Sequence, residues 1–303
     1  MRLGRPSRTA EYMALFRALE HARPSDGRCF ADPFARAFLG PRLRWLLTLS
    51  ALPGLVDLVC RAIDRRWPGA RTSAVARTRL IDDRVGAAVA KGVQQMVLLG
   101  SGFDSRPYRL PECGRLAVFE VDHPSTLARK RQLVRAAIGD VSSRVRFVPT
   151  DFNREAVEDT LAAAGFDQGR PTIFIWEGVT NYLTESAVDH TLRWCARTAS
   201  PSQIIFTYVH RAVLDNPAAF FGTGRLFATL EASGERWTFG LDPARLADFL
   251  GERGLRLDED LGADDYRARC FGPSAATMRG YEFYRVASAH VARAPDAGLR
   301  RPA

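Results

Sequence analysis

The sequence predicts an α/β protein built on a doubly wound, largely parallel sheet, and three observations carry that expectation. Apolar runs of strand length, Met96 to Leu99, Leu116 to Phe119 and Thr172 to Trp176, alternate with longer segments of helical period, the pattern that yields parallel strands with helices on both faces. The first run stops at Gly100-Ser101-Gly102, a turn tight enough for backbone to approach a ligand closely. The second ends in Glu120-Val121-Asp122 and so puts an acid 22 residues beyond Gly100, the distance at which such folds bind a ribose hydroxyl pair.

Residues 1 to 8 hold three arginines and no apolar pattern, and are expected to be loose. From Thr9, a candidate cap, the three- and four-residue spacing of Tyr12, Leu15, Phe16 and Leu19 predicts a helix. Asp32-Pro33 predicts the start of a second, because aspartate caps well and proline suits a first turn. The most apolar stretch, Trp45 to Cys60, contains Pro53 and Asp57 and falls short of the roughly 20 residues of a membrane span. It reads as packed helices, with no membrane partner. A further helix over Arg71 to Lys91 sets Val75, Leu80, Ile81, Val85 and Val89 near one face. Arg77, Arg79, Asp82, Asp83 and Arg84 are left for faces where local ion pairs in water would suffice.

The glycine turn departs from the dinucleotide fingerprint, because Ser105 stands where a third glycine would let a helix N-terminus meet a pyrophosphate. The departure favours a cofactor with adenosine but no pyrophosphate, of which S-adenosyl-L-methionine is the common one. Asp122 is then the expected ribose ligand. His123-Pro124 opens a helix to about Ala137, and Val145 to Thr150 reads as a third strand ending at Asp151-Phe152. An acid beside an aromatic there can accept from an adenine amino group and cover its ring; alternatively, Asp151 caps a helix starting at Asn153 or Arg154. The run Thr172 to Trp176 is a buried central strand that delivers Glu177-Gly178 to the crevice at its end.

Thr184-Glu185 starts a helix to about Arg197, and Gln203 to Val209 is the fifth strand. A glycine-rich insertion at about 210–241 carries Phe220, Phe221, Phe227, Trp237 and Phe239, which either line an acceptor pocket or pack in the core. Asp242-Pro243 opens a helix with Leu246, Phe249 and Leu250 buried and Gly254 as its stop. Tyr281 to Ala289 reads as the last strand, and the Arg-, Ala- and Pro-rich tail from Val291 as unfolded.

Composition narrows the function. Hydrophobic residues at 46% and charged residues at 25% are ordinary globular values and exclude a disordered or fibrous chain. The 303 residues suit one domain with added helices. Of the 43 basic residues only Lys91 and Lys130 are lysine, so the net charge of +9 reflects coding bias at least as much as a partner. No basic run is interleaved with aromatics, so no nucleic-acid partner is expected, only a mild pull on anionic substrates. Five scattered cysteines fit neither a zinc site nor a disulfide framework, and MRLGRPSRTAEYM has no apolar signal segment. A reducing cytoplasm and no metal are expected.

GSGFDSRPYRL from Gly100, FEVDHP from Phe119 followed by Arg129-Lys130, TDF at Thr150 and IWEGVTNYL from Ile175 stand in order, preceded by TAEYMALFRALE, ADPFARAFL and ARTRLIDD. Together they resemble the leucine carboxyl methyltransferase family over roughly residues 9 to 290. The resemblance implies a class I methyltransferase-like doubly wound sheet (Rossmann-like). Residues 1–70 would form an N-terminal helical lid, 71–290 the cofactor-binding core with its insertion after the fifth strand, and 291–303 a disordered tail. It implies S-adenosyl-L-methionine as cofactor, with Arg77 reaching the methionyl carboxylate and Glu177 facing the cofactor. The full cofactor set is then Arg77, Gly100, Gly102, Asp122, Asp151, Phe152 and Glu177. Asn181, Tyr182 and Leu183 would begin the acceptor side.

The family's bacterial members are O-methyltransferases, some in antibiotic pathways, so the leading acceptor is a carboxylate of a small molecule or a peptide C-terminus. A carboxylate is already ionised and needs only positioning and desolvation. A phenol or alcohol would need a general base, for which His123, His210, His190 and Tyr182 are candidates. An NAD-dependent oxidoreductase shares the strand, turn and acid logic and remains an alternative. So does a non-catalytic nucleotide-binding protein, although the candidate site residues all stand intact. The oligomeric state is left open.

Overall fold

The computed structural model describes residues 8–50, 54–152 and 154–292. The seven strands are β1 (Gln95–Leu99), β2 (Ala117–Asp122), β3 (Val145–Pro149), β4 (Thr172–Trp176), β5 (Gln203–Val209), β6 (Leu255–Leu261) and β7 (Tyr284–Val291). They lie in the order β3-β2-β1-β4-β5-β7-β6. The first five pair in parallel, and β7 is antiparallel to both β5 and β6. The order reverses between β1 and β4, so the crevice beyond their ends is where an open sheet of this kind binds ligands.

Period two decides the layers. Val97, Leu99, Phe119, Val121, Phe174 and Trp176 point to one face, and Met96, Leu98, Val118, Ile173 and Ile175 to the other. The first face is covered by α7 (Val157–Ala163), α8 (Glu185–Cys195) and α11 (Leu246–Gly251), the second by α4 (Ala70–Ala90) and α12 (Ala263–Phe271). Both faces being covered is why β1 and β4 are apolar at nearly every position. The N-terminal helices α1 (Arg8–His21), α2 (Pro41–Ser50) and α3 (Leu55–Arg66) share a separate apolar cluster with Val75 of α4 and Phe103 of the glycine turn. Short α5 (Arg106–Arg109), then α6 (Pro124–Ile138), α9 (Ala212–Asp215) and α10 (Thr223–Ser233) complete the set. Among the described residues no helix is long and apolar enough to cross a membrane.

Several expectations are corrected. Thr9 does not cap α1; the helix starts at Arg8, and the Thr9 hydroxyl donates to Glu235 at 2.9 Å. Asp32 does accept from the N–H groups of Phe34 and Ala35, but only a 3-10 turn, Ala35–Phe38, follows before Gly40-Pro41 restarts the chain as α2. Strand β6 and helix α12 went unread, because β6 is an edge strand whose run Asp258-Glu259-Asp260 looks solvated and whose pairing shifts at Leu257/Glu259. The last strand begins at Tyr284 and includes Val291, so the expected loose tail from Val291 does not start there, and Arg8, expected to be loose, opens α1; the rest of those ends, 1–7 and 293–303, lies outside the described residues. A disulfide joins Cys29 to Cys270, 241 residues apart, a separation at which cysteine spacing carries no signal. That bond removes cysteine usage as an argument for a reducing compartment.

Candidate active site

The loops after β1, β2, β3 and β4 converge at the reversal point. Gly100 has φ +75°, and a Cβ there would run into the Val179 side chain from the β4 loop, so the two loops meet closely across the crevice. Asp122, at the end of β2, accepts from the N–H of Gly102 through one oxygen and from the N–H of His123 through the other, both at 2.7 Å. Burial raises its pKa more than these two bonds lower it. The ribose-binding candidate and the glycine turn are thus one hydrogen-bonded unit. One strand further out, Phe152 packs against the core, and α7 starts only at Val157 after an N-cap at Ala156. Asp151 is therefore not the cap of a helix beginning at Arg154, and Asn153 lies outside the described residues.

Arg77 lies buried on α4, and its role is not that of a solvated face. Its Nε donates to Glu177 at 2.8 Å, its guanidinium stands 4.8 Å over the ring of Tyr284, and Nη2 is 3.7 Å from the Met13 sulfur of α1. The second oxygen of Glu177 accepts from Arg106 at 2.8 Å. Arg106 also holds Asp104 at 2.6 Å and Asp82 at 2.8 Å, and Asp82 pairs in turn with Arg109 at 2.7 Å. Arg109 approaches Asp32, which pairs with Arg17 of α1. Four guanidinium groups alternate with three carboxylates in one largely buried chain, with Asp104 branching from Arg106 as the fourth, an arrangement tolerable only when each charge is matched.

Burial alone would raise the carboxylate pKa values here, but the arginines overcome it. Asp104 is held down at about 2, chiefly by Arg106, and Glu177 is lowered by Arg106 and Arg77. A second buried pair supports the turn from below. Lys130 and Glu120, both fully buried, meet at 2.5 Å, Tyr108 donates to Glu120 at 2.6 Å, and Lys130 reaches the carbonyl of Ser101. Burial still pushes Glu120 upward, beyond what Lys130 and Tyr108 recover.

The candidate bases are otherwise engaged. His123 is the N-cap of α6, its Nδ1 accepting from the Ser125 N–H, and His210 accepts from the Ala212 N–H in the same way. His190 pairs with Glu158 on an exposed face of α8. The Tyr182 hydroxyl donates to Glu235 at 3.0 Å, and burial followed by that carboxylate pushes its pKa up, so it stays protonated. Of the insertion aromatics, Phe239 belongs to the sheet core, which removes it as a pocket residue. Trp237 packs on Phe227, Phe283 and Tyr284, and so links the insertion to Arg77. Among the described residues no group of acidic, histidine and cysteine side chains could hold a metal ion.

Sequence reading missed Asp32, Asp82, Asp104, Arg106 and Tyr284. Asp104 and Arg106 sit inside the glycine-turn motif, which was the available signal.

Comparison with known proteins bears on this geometry. The model of a family described as leucine carboxyl methyltransferase matches residues 10–196. A Frankia alni protein named as an S-adenosyl-L-methionine-dependent methyltransferase is 38% identical over 208 residues, 68% of this chain and 70% of its own. A Streptomyces coelicolor protein of the same description is 39% identical over 214 residues, 70% and 72% of the two chains. A crystal structure of a methyltransferase from Thermobifida fusca superposes with a TM-score of 0.56 at 15% identity, covering 96% of this chain and 97% of that one. At that identity the likeness speaks for the fold alone, and it agrees with the sheet described above.

Proposed function

The chain belongs to the leucine carboxyl methyltransferase family, and from that premise we propose that it is an S-adenosyl-L-methionine-dependent O-methyltransferase that esterifies a carboxylate, on a small molecule or a peptide C-terminus. One observation carries the cofactor reading: at the reversal point the buried Arg77 and the half-buried Glu177 offer opposite charges side by side, matching a methionyl carboxylate and ammonium. The rest of the site fits the same ligand. Gly100 and Gly102 give the turn the positive-φ backbone it needs at the crevice, Asp122 offers a carboxylate to ribose hydroxyls, and Asp151 with Phe152 lies at the end of the next strand for adenine. Helix α5 is a single turn containing Pro107, a poor seat for a pyrophosphate.

When bound, the cofactor supplies a methyl group on a sulfonium. The chain's own task is then to orient an acceptor and exclude water. We propose the N-terminal helices as the lid that does so: Met13 of α1 touches Arg77, and Ala10 lies against Gly102. The commitment of both His123 and His210 to backbone N–H groups supports an acceptor that needs no base.

Calorimetry should show binding of S-adenosyl-L-methionine or its demethylated product in the micromolar range typical of such ligands; binding of neither overturns the reading. With methyl-labelled cofactor and a panel of small acids and peptide C-termini, the product should release its label as methanol in mild alkali. A base-stable label would mean an ether and a hydroxyl acceptor.

A further inference from the structure

The segment between α1 and α2 is tied to the glycine turn by a buried hydrogen bond from Ser105 to Asp32, and we propose that Asp32 and Ser105 are positioning residues: a latch that holds the lid over the bound cofactor and limits how fast its demethylated form leaves. The inference rests on the cofactor reading above and assigns a purpose to the residue at which this turn departs from the dinucleotide fingerprint. Where that fingerprint has a glycine, Ser105 is 1% exposed and its Oγ donates to Asp32 Oδ2 at 2.5 Å. A glycine could make no such tie.

Asp32, also 1% exposed, is held from both sides. Its Oδ1 accepts from the N–H groups of Phe34 and Ala35 within its own segment, while Oδ2 takes the Ser105 hydroxyl and Arg17 Nε of α1 at 2.9 Å. Arg17 then reaches across to donate to the Phe103 carbonyl at 2.5 Å, and the Phe103 ring stacks on Phe38 with centroids 5.3 Å apart. Three residues of the turn, 103 to 105, thus lead into the lid or its ion chain.

The lid itself lies where a ligand would have to pass. A ligand resting on Gly100 to Gly102 and extending to Arg77 lies beneath α1, whose Ala10 and Met13 cover those two points. Departure therefore requires α1 to lift, and at the glycine turn the Asp32 cluster opposes that motion, alongside the Thr9–Glu235 hydrogen bond at the start of α1 and the Cys29–Cys270 disulfide that anchors the following segment. The ion chain from Asp32 through Arg109, Asp82 and Arg106 ends on Glu177, so the latch and the expected ammonium partner belong to one network. Ligand charge at one end and lid closure at the other are then coupled, and by linkage the coupling runs both ways.

Ser105→Ala is the decisive variant, because it deletes one hydroxyl and leaves Asp32 paired with Arg17. Dissociation of the demethylated cofactor, followed by stopped-flow displacement, should be about tenfold or more faster than in the unsubstituted protein, as expected for a lost charge-assisted hydrogen bond. The association rate should stay within about threefold. Asp32→Asn leaves one oxygen for four donors and strips the charge that Arg17 and Arg109 face, so it should release the ligand at least as fast as Ser105→Ala. A purely structural contact would lower the melting temperature and leave the dissociation rate within about twofold, which would overturn the latch. Amide exchange of the ligand-free protein gives a readout that needs no cofactor: in Ser105→Ala the α1 amides should lose about tenfold protection relative to those of β1. Unchanged protection in α1 overturns the latch even if the cofactor binds, whereas lost protection in a protein that binds no cofactor overturns only the cofactor reading.

Discussion

The two ends of the site are built on opposite electrostatic plans. At the proposed ribose end a single carboxylate, Asp122, is held by two backbone N–H groups, and burial raises its pKa. At the proposed methionyl end Glu177 is locked between Arg77 and Arg106, and the arginines pull Glu177 and Asp104 down. The contrast teaches where binding and folding separate. A charge held by backbone can be removed with little harm to the fold, whereas one link of a buried alternating chain cannot leave without stranding its neighbours.

The largest effect should come from cutting that chain at its centre. Arg106→Met leaves Asp82 with one arginine fewer and deprives Asp104 and Glu177 of their principal partner. Unfolding by denaturant should show a loss of about 3–5 kcal/mol. A loss below about 1 kcal/mol would mean that the methionyl end is no more integral to folding than the ribose end.

Next in size is the counterpart at the ribose end. Asp122→Ala should weaken cofactor affinity by roughly 1.5–3 kcal/mol, about tenfold or more, with the free energy of unfolding moving by less than about 1 kcal/mol. Calorimetry and denaturation on the same preparation check both halves. If affinity holds while stability falls, Asp122 is a strut of the turn and the contrast fails.

Acid titration sharpens the comparison because the two ends respond with opposite sign. Asp104 drops from an ordinary 3.8 to about 2 in the folded protein, so its contribution is present above the unfolded value and lost as pH falls from about 4 to 2. The span corresponds to about 2 kcal/mol, and Asp104→Asn should abolish that part of the acid dependence. Asp122 has a raised folded pKa, so ionising it disfavours folding as pH rises through its titration, and Asp122→Asn should relieve that slope. Stability measured against pH for the two variants should therefore diverge from the unsubstituted protein in opposite directions. Parallel curves would break the comparison.

The same division decides what the sequence could disclose. Strands β1, β2, β4 and β5 were legible because a strand buried on both faces must be largely apolar, and Asp122 and Glu177 because each terminates such a run. The ion chain was not, because its links join distant positions: Arg77 and Glu177 are 100 residues apart, and Arg106 and Asp82 are 24 apart. On a helix, Arg77 and Asp82 look like any solvated pair until the neighbouring turn folds over them. Edge strand β6 stayed hidden for the converse reason, since an edge tolerates acids that a central strand would exclude.

The smallest effect is expected at His123, where the two ends of the argument about the acceptor meet. Its Nδ1 accepts from the Ser125 N–H and lies 2.8 Å from the Ser125 hydroxyl, which is the work of an N-cap. His123→Ala should therefore lower stability by about 1 kcal/mol through the lost cap and leave turnover on a carboxylate within about threefold, since an acceptor already ionised needs no proton removed. A fall in turnover of about a hundredfold or more, the size expected of a lost general base, would assign His123 to a hydroxyl acceptor instead. Tyr182 offers no escape from that test, because its hydroxyl donates to Glu235 and its raised pKa keeps the proton in place.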